Sequence, residues 1–178
     1  RDVLLHCEGG VMTRFRESDD YGDDFDSPEA AQNDYDTRLS NAINSDAGQQ
    51  VLRELERALL AMPNKRLIRG WLATPQGECC TIGLYCAAKD AEEKGIEIQQ
   101  AVRDFANAGW NQWCQEALFV VNDSATGEIY TMDEGTAAGI PWELAWELGD
   151  NNDEMHHIDP EHRWMWVLDW VQKKLGKK

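Results

Sequence analysis

A long stretch without any cation most constrains how this chain can fold. Between residues 104 and 162 there are thirteen acids and no lysine or arginine. An average protein surface interleaves both signs of charge, so a third of this chain is expected to present one sign only. The acids of this cation-free run are at positions 104, 116, 123, 128, 133, 134, 143, 147, 150, 153, 154, 159 and 161.

The totals exclude several classes of protein. The 178 residues carry a net charge of -16, which repels nucleic acid and anionic membranes and attracts basic surfaces. No run of about 18 apolar residues occurs, so no membrane span is expected. The five cysteines are odd in number and form no CxxC pair, which favours reduced thiols in the cytoplasm over a disulfide framework.

Charge also suggests where the folded domain begins. Nine acids and no lysine or arginine lie between residues 17 and 36, with few apolar residues among them. Such a segment cannot bury enough surface to offset its ordering entropy. The prediction is a disordered acidic arm over residues 1–26, followed by a single, mainly α-helical domain over residues 27–178.

Capping signals and apolar spacing predict the helices. Ser27 and Pro28 open a helix over 28–44, and Asp159 and Pro160 open the last helix. An apolar stripe runs from Val51 to Met62 and stops at Pro63. Further helices are predicted over 81–94, ended by a glycine, and over 96–108.

Two segments are harder to assign. A turn signal at 75–77 suggests a short β-hairpin with strands at 67–73 and 78–82. A faint thirty-residue repeat relates Ala108-Gly109 to Ala138-Gly139 and Asn122-Asp123 to Asn152-Asp153. Each repeat would be a helix closing at Asn-Asp; chance similarity of two amphipathic helices is the alternative.

No complete catalytic or metal site is evident, and no cofactor is expected. His156, His157, Asp159 and His162 have metal-ligand types, but Asp159 is already needed as a helix cap, so a capping and surface role is favoured. Cys79, Cys80 and Cys86 fall at or inside a predicted helix, and core packing is favoured over metal binding or nucleophilic chemistry.

The tryptophans of the last helix suggest a second contact surface. Its core stripe is predicted to be Trp164, Val167, Leu168, Val171 and Leu175. Trp166 and Trp170 lie off that stripe, so they contact either another helix or a protein partner.

Carboxylates gathered on one side of a helical body could imitate part of the field of DNA, which carries one negative charge per ~1.7 Å of axis. A basic cleft built for nucleic acid would then bind this protein instead. A solvated surface that only maintains solubility is the alternative. The residues expected to form the charged face are Asp123, Asp133, Glu134, Glu143, Glu147, Asp150, Asp153 and Glu154.

Four stretches resemble a family of small phage and prophage proteins. The family has a helix ending in LP-x-KRLI, which is similar to residues 52–68 here, followed by a cysteine-containing segment, which is similar to residues 77–83. Its END and PEERW patterns correspond to Asn152-Asp153-Glu154 and Pro160-Glu161-His162-Arg163-Trp164. The resemblance covers most of residues 12–178, although 96–135 is longer here and tryptophan is more frequent. It implies a phage origin and no particular activity.

Small phage proteins often inhibit host defence systems, including restriction and CRISPR nucleases. Together with the charge, the resemblance suggests an acidic, non-enzymatic inhibitor acting in the host cytoplasm on a basic, nucleic-acid-binding complex, without binding nucleic acid or membrane itself. The alternative is a virion-associated or host-takeover protein that binds its partner through Trp166 and Trp170. A small metal- or thiol-dependent enzyme is a third hypothesis.

Overall fold

A computed structural model describes residues 27–108, 119–122, 129–132, 139–153 and 158–177. This part of the chain is mainly α-helical, which confirms the predicted fold class. Its elements are α1 (Pro28–Asn44), α2 (Asp46–Ala61), α3 (Thr81–Lys94), α4 (Ile98–Asn107), β1 (Phe119–Asn122), β2 (Ile129–Met132), α5 (Trp142–Asp153) and α6 (Pro160–Lys174). The predicted acidic arm lies outside the described residues.

The chain divides into two units, residues 1–38 and residues 39–178. In the first unit, the Ser27 hydroxyl accepts a hydrogen bond from the Ala30 amide at 3.2 Å, as expected for a helix N-cap. An exposed ion pair joins Arg38 to Asp34 one turn apart, at 2.9 Å. These local contacts favour the helical conformation of α1 at its start and in its middle turns.

The core of the second unit is built around α2. The predicted apolar stripe of this helix is buried: Val51, Leu52, Leu55, Ala58, Leu59 and Met62. Ser45 caps the helix by accepting a hydrogen bond from the Gly48 amide at 3.0 Å. The stripe packs α2 against α3 and α6, while α3 also packs against α4 and α5. Burial of this apolar surface is the main force that holds the helices together.

The predicted ends of α3 are also confirmed. The helix begins after Cys80, whose sulfur accepts a hydrogen bond from the Gly83 amide at 3.4 Å. It ends at Gly95, which has a φ of 64°. That left-handed conformation costs glycine little, which explains why the helix stops there.

Two predictions of secondary structure differ from the structure. The antiparallel pairing predicted at 67–82 is present but short: Ala73 and Cys79 form a bridge, and the Cys80 amide donates to the Leu72 carbonyl at 3.2 Å. The second strand is short because α3 begins at Thr81 and includes its last two residues. The first unit of the proposed repeat is not helical up to its end, since Phe119–Asn122 is a strand paired antiparallel with Ile129–Met132. Aromatic and β-branched residues in both segments favour that pairing.

A buried polar seam fixes the segment between α2 and α3 against α5 and α6. The Asn152 side chain accepts hydrogen bonds from the Thr81 amide at 3.1 Å and its hydroxyl at 2.9 Å, and donates to the Ile68 carbonyl at 2.9 Å. Arg163, also buried, donates to the carbonyls of Leu67 and Ile158, each at 3.1 Å. The seam therefore holds the start of α6 in place.

The end of the chain is tied to α2 through a nearly buried carboxylate. Glu56, whose side chain is 9% exposed, accepts hydrogen bonds from Lys177 and, at 3.0 Å, from the Gln172 amide. The ammonium of Lys177 lowers the pKa of Glu56 below its ordinary value. The folded state therefore binds a proton at Glu56 less readily than the unfolded state does.

We expect Lys177→Met to lower the free energy of unfolding at pH 7 by about 1–2 kcal/mol, since Lys177 is itself half exposed. Because the folded pKa is lowered, the contribution of Glu56 is present above its unfolded pKa of about 4.3 and is lost as pH falls through the folded pKa. Urea unfolding at pH 7, 5, 4 and 3 measures this loss. It should be smaller in Lys177→Met, whereas an equal loss in both proteins would contradict the assignment. The exposed pair Lys94–Asp90 provides the control, Lys94→Met.

Candidate partner-binding surface

The last helix begins with the predicted cap. The Asp159 carboxylate accepts hydrogen bonds from the amides of Glu161 at 3.0 Å and His162 at 3.1 Å. These amide bonds, and that of the His162 ring at 2.6 Å, lower the pKa of Asp159. Pro160 occupies the first turn, where its missing amide proton costs nothing. These contacts therefore fix the residue at which α6 begins.

One side of α6 belongs to the core. Arg163, Trp164, Val167 and Val171 are buried there. The Trp164 indole donates to the carbonyl of Leu59 on α2 at 3.0 Å, and the ammonium of Lys65 lies 5.3 Å from its ring centroid. The indole N–H and most of the ring surface of this tryptophan are thus used within the fold.

The opposite side of α6 is exposed. We call it the outer face of α6, and it consists of His162, Met165, Trp166, Asp169 and Lys173. Met165 is 59% exposed and Trp166 is 43% exposed, although both are large and apolar. A large apolar side chain in solvent gains nothing for folding, and tryptophan is enriched among the residues that dominate protein interfaces.

Trp170 differs from Trp166, although both were predicted to lie off the core stripe. Trp170 is half-buried at the edge of the outer face, and the Lys174 ammonium lies 5.4 Å from its ring centroid. Trp166 is the more accessible of the two. The sequence analysis did not single out Met165. The helical spacing that puts Trp164 and Val167 in the core stripe nevertheless places Met165 off that stripe.

The predicted charged face is only partly on the outside of α5. Glu143 and Asp150 are half-buried on that helix. An outward position for Glu147 was wrong: the residue is 3% exposed. One turn later, the Asn151 amide donates to the Glu147 carboxylate at 3.1 Å and to its carbonyl at 2.8 Å, which helps this carboxylate to remain inside.

Asp153 has a structural role. Its carboxylate accepts hydrogen bonds from the Gly70 amide at 3.3 Å and from the Asn152 side chain at 2.6 Å, so it belongs to the buried seam. It is still partly exposed. The other predicted members of the charged face, Asp123, Asp133, Glu134 and Glu154, lie outside the described residues.

Several lysines neutralise acids that are not in the cation-free run. Lys94 pairs with Asp90 at 2.8 Å, Lys173 pairs with Asp169 at 2.6 Å, and Lys177 pairs with Glu56. Lys65, which follows α2 in the chain, is also engaged, because its ammonium lies over the Trp164 ring. Cations from outside the run also act on some of its acids, since Lys94 attracts Asp104 and the buried Arg163 attracts Asp153 and Asp159.

Within the described residues, no cluster of three histidine, cysteine or acidic side chains is arranged to hold a metal ion. His156 and His157, which belonged to the histidine cluster in the sequence, lie outside those residues. Cys79 is buried, and burial raises the pKa of its thiol well above the ordinary value. A thiol in that environment is poorly reactive, because the thiolate is the nucleophile.

A groove of about 270 Å³ lies between α2, α3 and the start of α4. At its edge the Tyr85 hydroxyl donates to the Glu54 carboxylate at 3.0 Å, and Lys89 lies 5.2 Å from the Tyr85 ring centroid. Burial and the bond to Glu54 raise the pKa of Tyr85. The hydroxyl therefore keeps its proton at neutral pH and is not available as a general base.

In the part of the chain that the structure describes, every helix is too short or too polar to cross a membrane. Comparison of the sequence with protein-family models, with curated proteins and with solved structures found no match.

Proposed function

We propose that this chain is a non-enzymatic binding protein, of phage origin, that inhibits a host defence complex handling nucleic acid, of the CRISPR or restriction type. The partner is a host protein with a basic surface. The observation that carries the proposal is the cation-free run of thirteen acids in a chain of net charge -16. A partial imitation of nucleic acid is the simplest way for such a surface to block a basic channel.

The negative charge explains how the two partners meet better than it explains how tightly they bind. Complementary potentials accelerate encounter and select the partner, whereas most binding energy comes from a few desolvated anchors. The outer face of α6 offers such anchors in Trp166 and Met165. We therefore propose that the acids attract the basic partner and that this face contributes the apolar contact.

The proposal predicts protection of a phage against a defended host. Expressing the protein in cells that carry a restriction or CRISPR system should raise the plating efficiency of a phage which that system targets. Plating on an otherwise identical host without the system is the control and should not change. Unchanged plating across a panel of defended hosts would contradict the proposal.

With the purified target, the dissociation constant should rise at least about tenfold between about 50 and about 200 mM salt. Glu143→Gln combined with Asp150→Asn should weaken binding further. The matched control is Glu92→Gln with Glu93→Gln on α3, which removes the same charge from exposed acids outside the run. Affinity that does not depend on salt would exclude an electrostatic mechanism.

The exposure of Trp166 and Met165 favours a second candidate: a virion-associated or host-takeover protein whose charge is incidental. In that case, replacing Trp166 and Trp170 together by alanine abolishes partner binding, while removing carboxylates does not. Trp146→Ala on α5, where a second exposed tryptophan stacks against Trp142, is the matched control.

A further inference from the structure

The described part of the protein covers three aromatic rings with its own lysines. Lys65 lies 5.3 Å from the centroid of Trp164, Lys89 lies 5.2 Å from that of Tyr85, and Lys174 lies 5.4 Å from that of Trp170. At such distances the negative face of the ring attracts the cation. Pairing a cation with a ring is therefore a repeated feature of this fold.

Trp166 is the exception on α6. Its side chain is 43% exposed, and among the residues that the structure describes none places a cation over its ring. The two lysines that follow it on the helix are engaged elsewhere: Lys173 pairs with Asp169 at 2.6 Å, and Lys174 covers Trp170. In a chain with 17 basic and 33 acidic residues, a further cation is more readily supplied by a partner.

The surroundings of Trp166 suit a guanidinium group. Asp169 lies three residues further along the same exposed face, which is the spacing at which side chains on a helix are neighbours. The Asp169–Lys173 pair is exposed on both sides and is weak enough to be exchanged for a better partner. Arginine stacks on an indole and bonds to a carboxylate through the same planar group, which lysine cannot do.

We infer that Trp166 and Asp169 together receive an arginine side chain from a basic segment of the partner protein. The guanidinium stacks on the exposed indole and donates to the Asp169 carboxylate in place of Lys173. Met165, which is 59% exposed beside it, covers the aliphatic part of the arginine. This inference rests on the proposed function, because it names the chemistry by which the basic partner is recognised.

The test uses the full chain and synthetic peptides of repeated Arg-Gly, Lys-Gly and citrulline-Gly. Citrulline keeps the shape of arginine but has no charge. Isothermal titration at low salt should rank the peptides arginine, lysine, citrulline, in order of decreasing affinity. Trp166→Leu should weaken Arg-Gly binding about threefold to tenfold, and Asp169→Asn should weaken it by a similar factor.

Trp146→Leu is the matched control, since this tryptophan is 42% exposed on a different helix. It should leave the affinity unchanged. Equal affinity of wild type and Trp166→Leu, equal losses in Trp166→Leu and Trp146→Leu, or equal binding of the arginine and citrulline peptides would overturn the inference. Urea unfolding of each variant confirms that it is folded.

The peptide assay tests this inference and the plating assay tests the proposed function, so either hypothesis can be contradicted without the other. Arginine-dependent binding at Trp166 without any protection of a phage would support this inference and contradict the proposed defence target. Protection of a phage by Trp166→Leu at the wild-type level would support the proposed function and overturn the inference.

Discussion

Gly83→Ala is expected to destabilise the protein by about 3 kcal/mol or more, because the new methyl group has no space. A Cβ at this position would lie 1.8 Å from the carbonyl oxygen of Leu72. That carbonyl cannot move easily, since it accepts the Cys80 amide at 3.2 Å and so holds the first turn of α3 in place. Urea unfolding, followed by tryptophan fluorescence, measures the loss.

Gly149→Ala is the matched control for this prediction. Gly149 lies within α5, and a Cβ there would meet no atom within 4 Å. Alanine is the better helix former, so this variant should gain about 0.5–1 kcal/mol. Opposite signs for the two substitutions are the expected result. A Gly83→Ala protein as stable as wild type would mean that α3 does not approach the Leu72 backbone this closely.

Asn152→Ala is expected to cost about 3 kcal/mol or more, since it leaves several buried polar groups without partners. Asn152 is 71 residues from Thr81 and 84 residues from Ile68 in sequence, yet its side chain bonds to both. The substitution therefore weakens the attachment of α5 to α3 and to the segment before it. Urea unfolding, followed by tryptophan fluorescence, measures this loss as it does for Gly83→Ala.

The control for Asn152 is Asn107→Ala, which alters an exposed asparagine at the end of α4. This change should lie within about 0.5 kcal/mol of wild type. If Asn152→Ala also stayed within that range, the buried seam would not contribute to stability. A loss at Asn152 together with an unchanged Asn107 variant is the expected pattern.

The helices that could be predicted carry their own start and stop signals. Ser27, Asp159 and Gly95 act on amides or carbonyls within a turn of themselves, so sequence alone locates the helix ends. The apolar stripe of α2 is equally local, because a helix repeats every 3.6 residues. Such features do not depend on the rest of the fold.

The sequence predictions that failed concern residues whose structure depends on contacts with residues far away in the sequence. The segment before α3 is held by Asn152 and Arg163 as well as by its short antiparallel pairing, and no local pattern reveals the contacts of these two side chains. Glu147 is buried with Asn151 as a hydrogen-bond partner, although both residues are polar. Trp166 could be predicted as a non-core residue because helical spacing alone places it off the core stripe. The lysine over Trp164 could not, because Lys65 is far from that ring in sequence.

The two-sided design of α6 has an evolutionary consequence. Trp164, Val167 and Val171 serve folding, whereas Met165, Trp166 and Asp169 have no part in the core. Under the proposed function, mutations at the second set can alter what the protein recognises without lowering its stability below the threshold for folding. Such a helix could then follow a changing target by successive single substitutions while the core of the protein stayed the same.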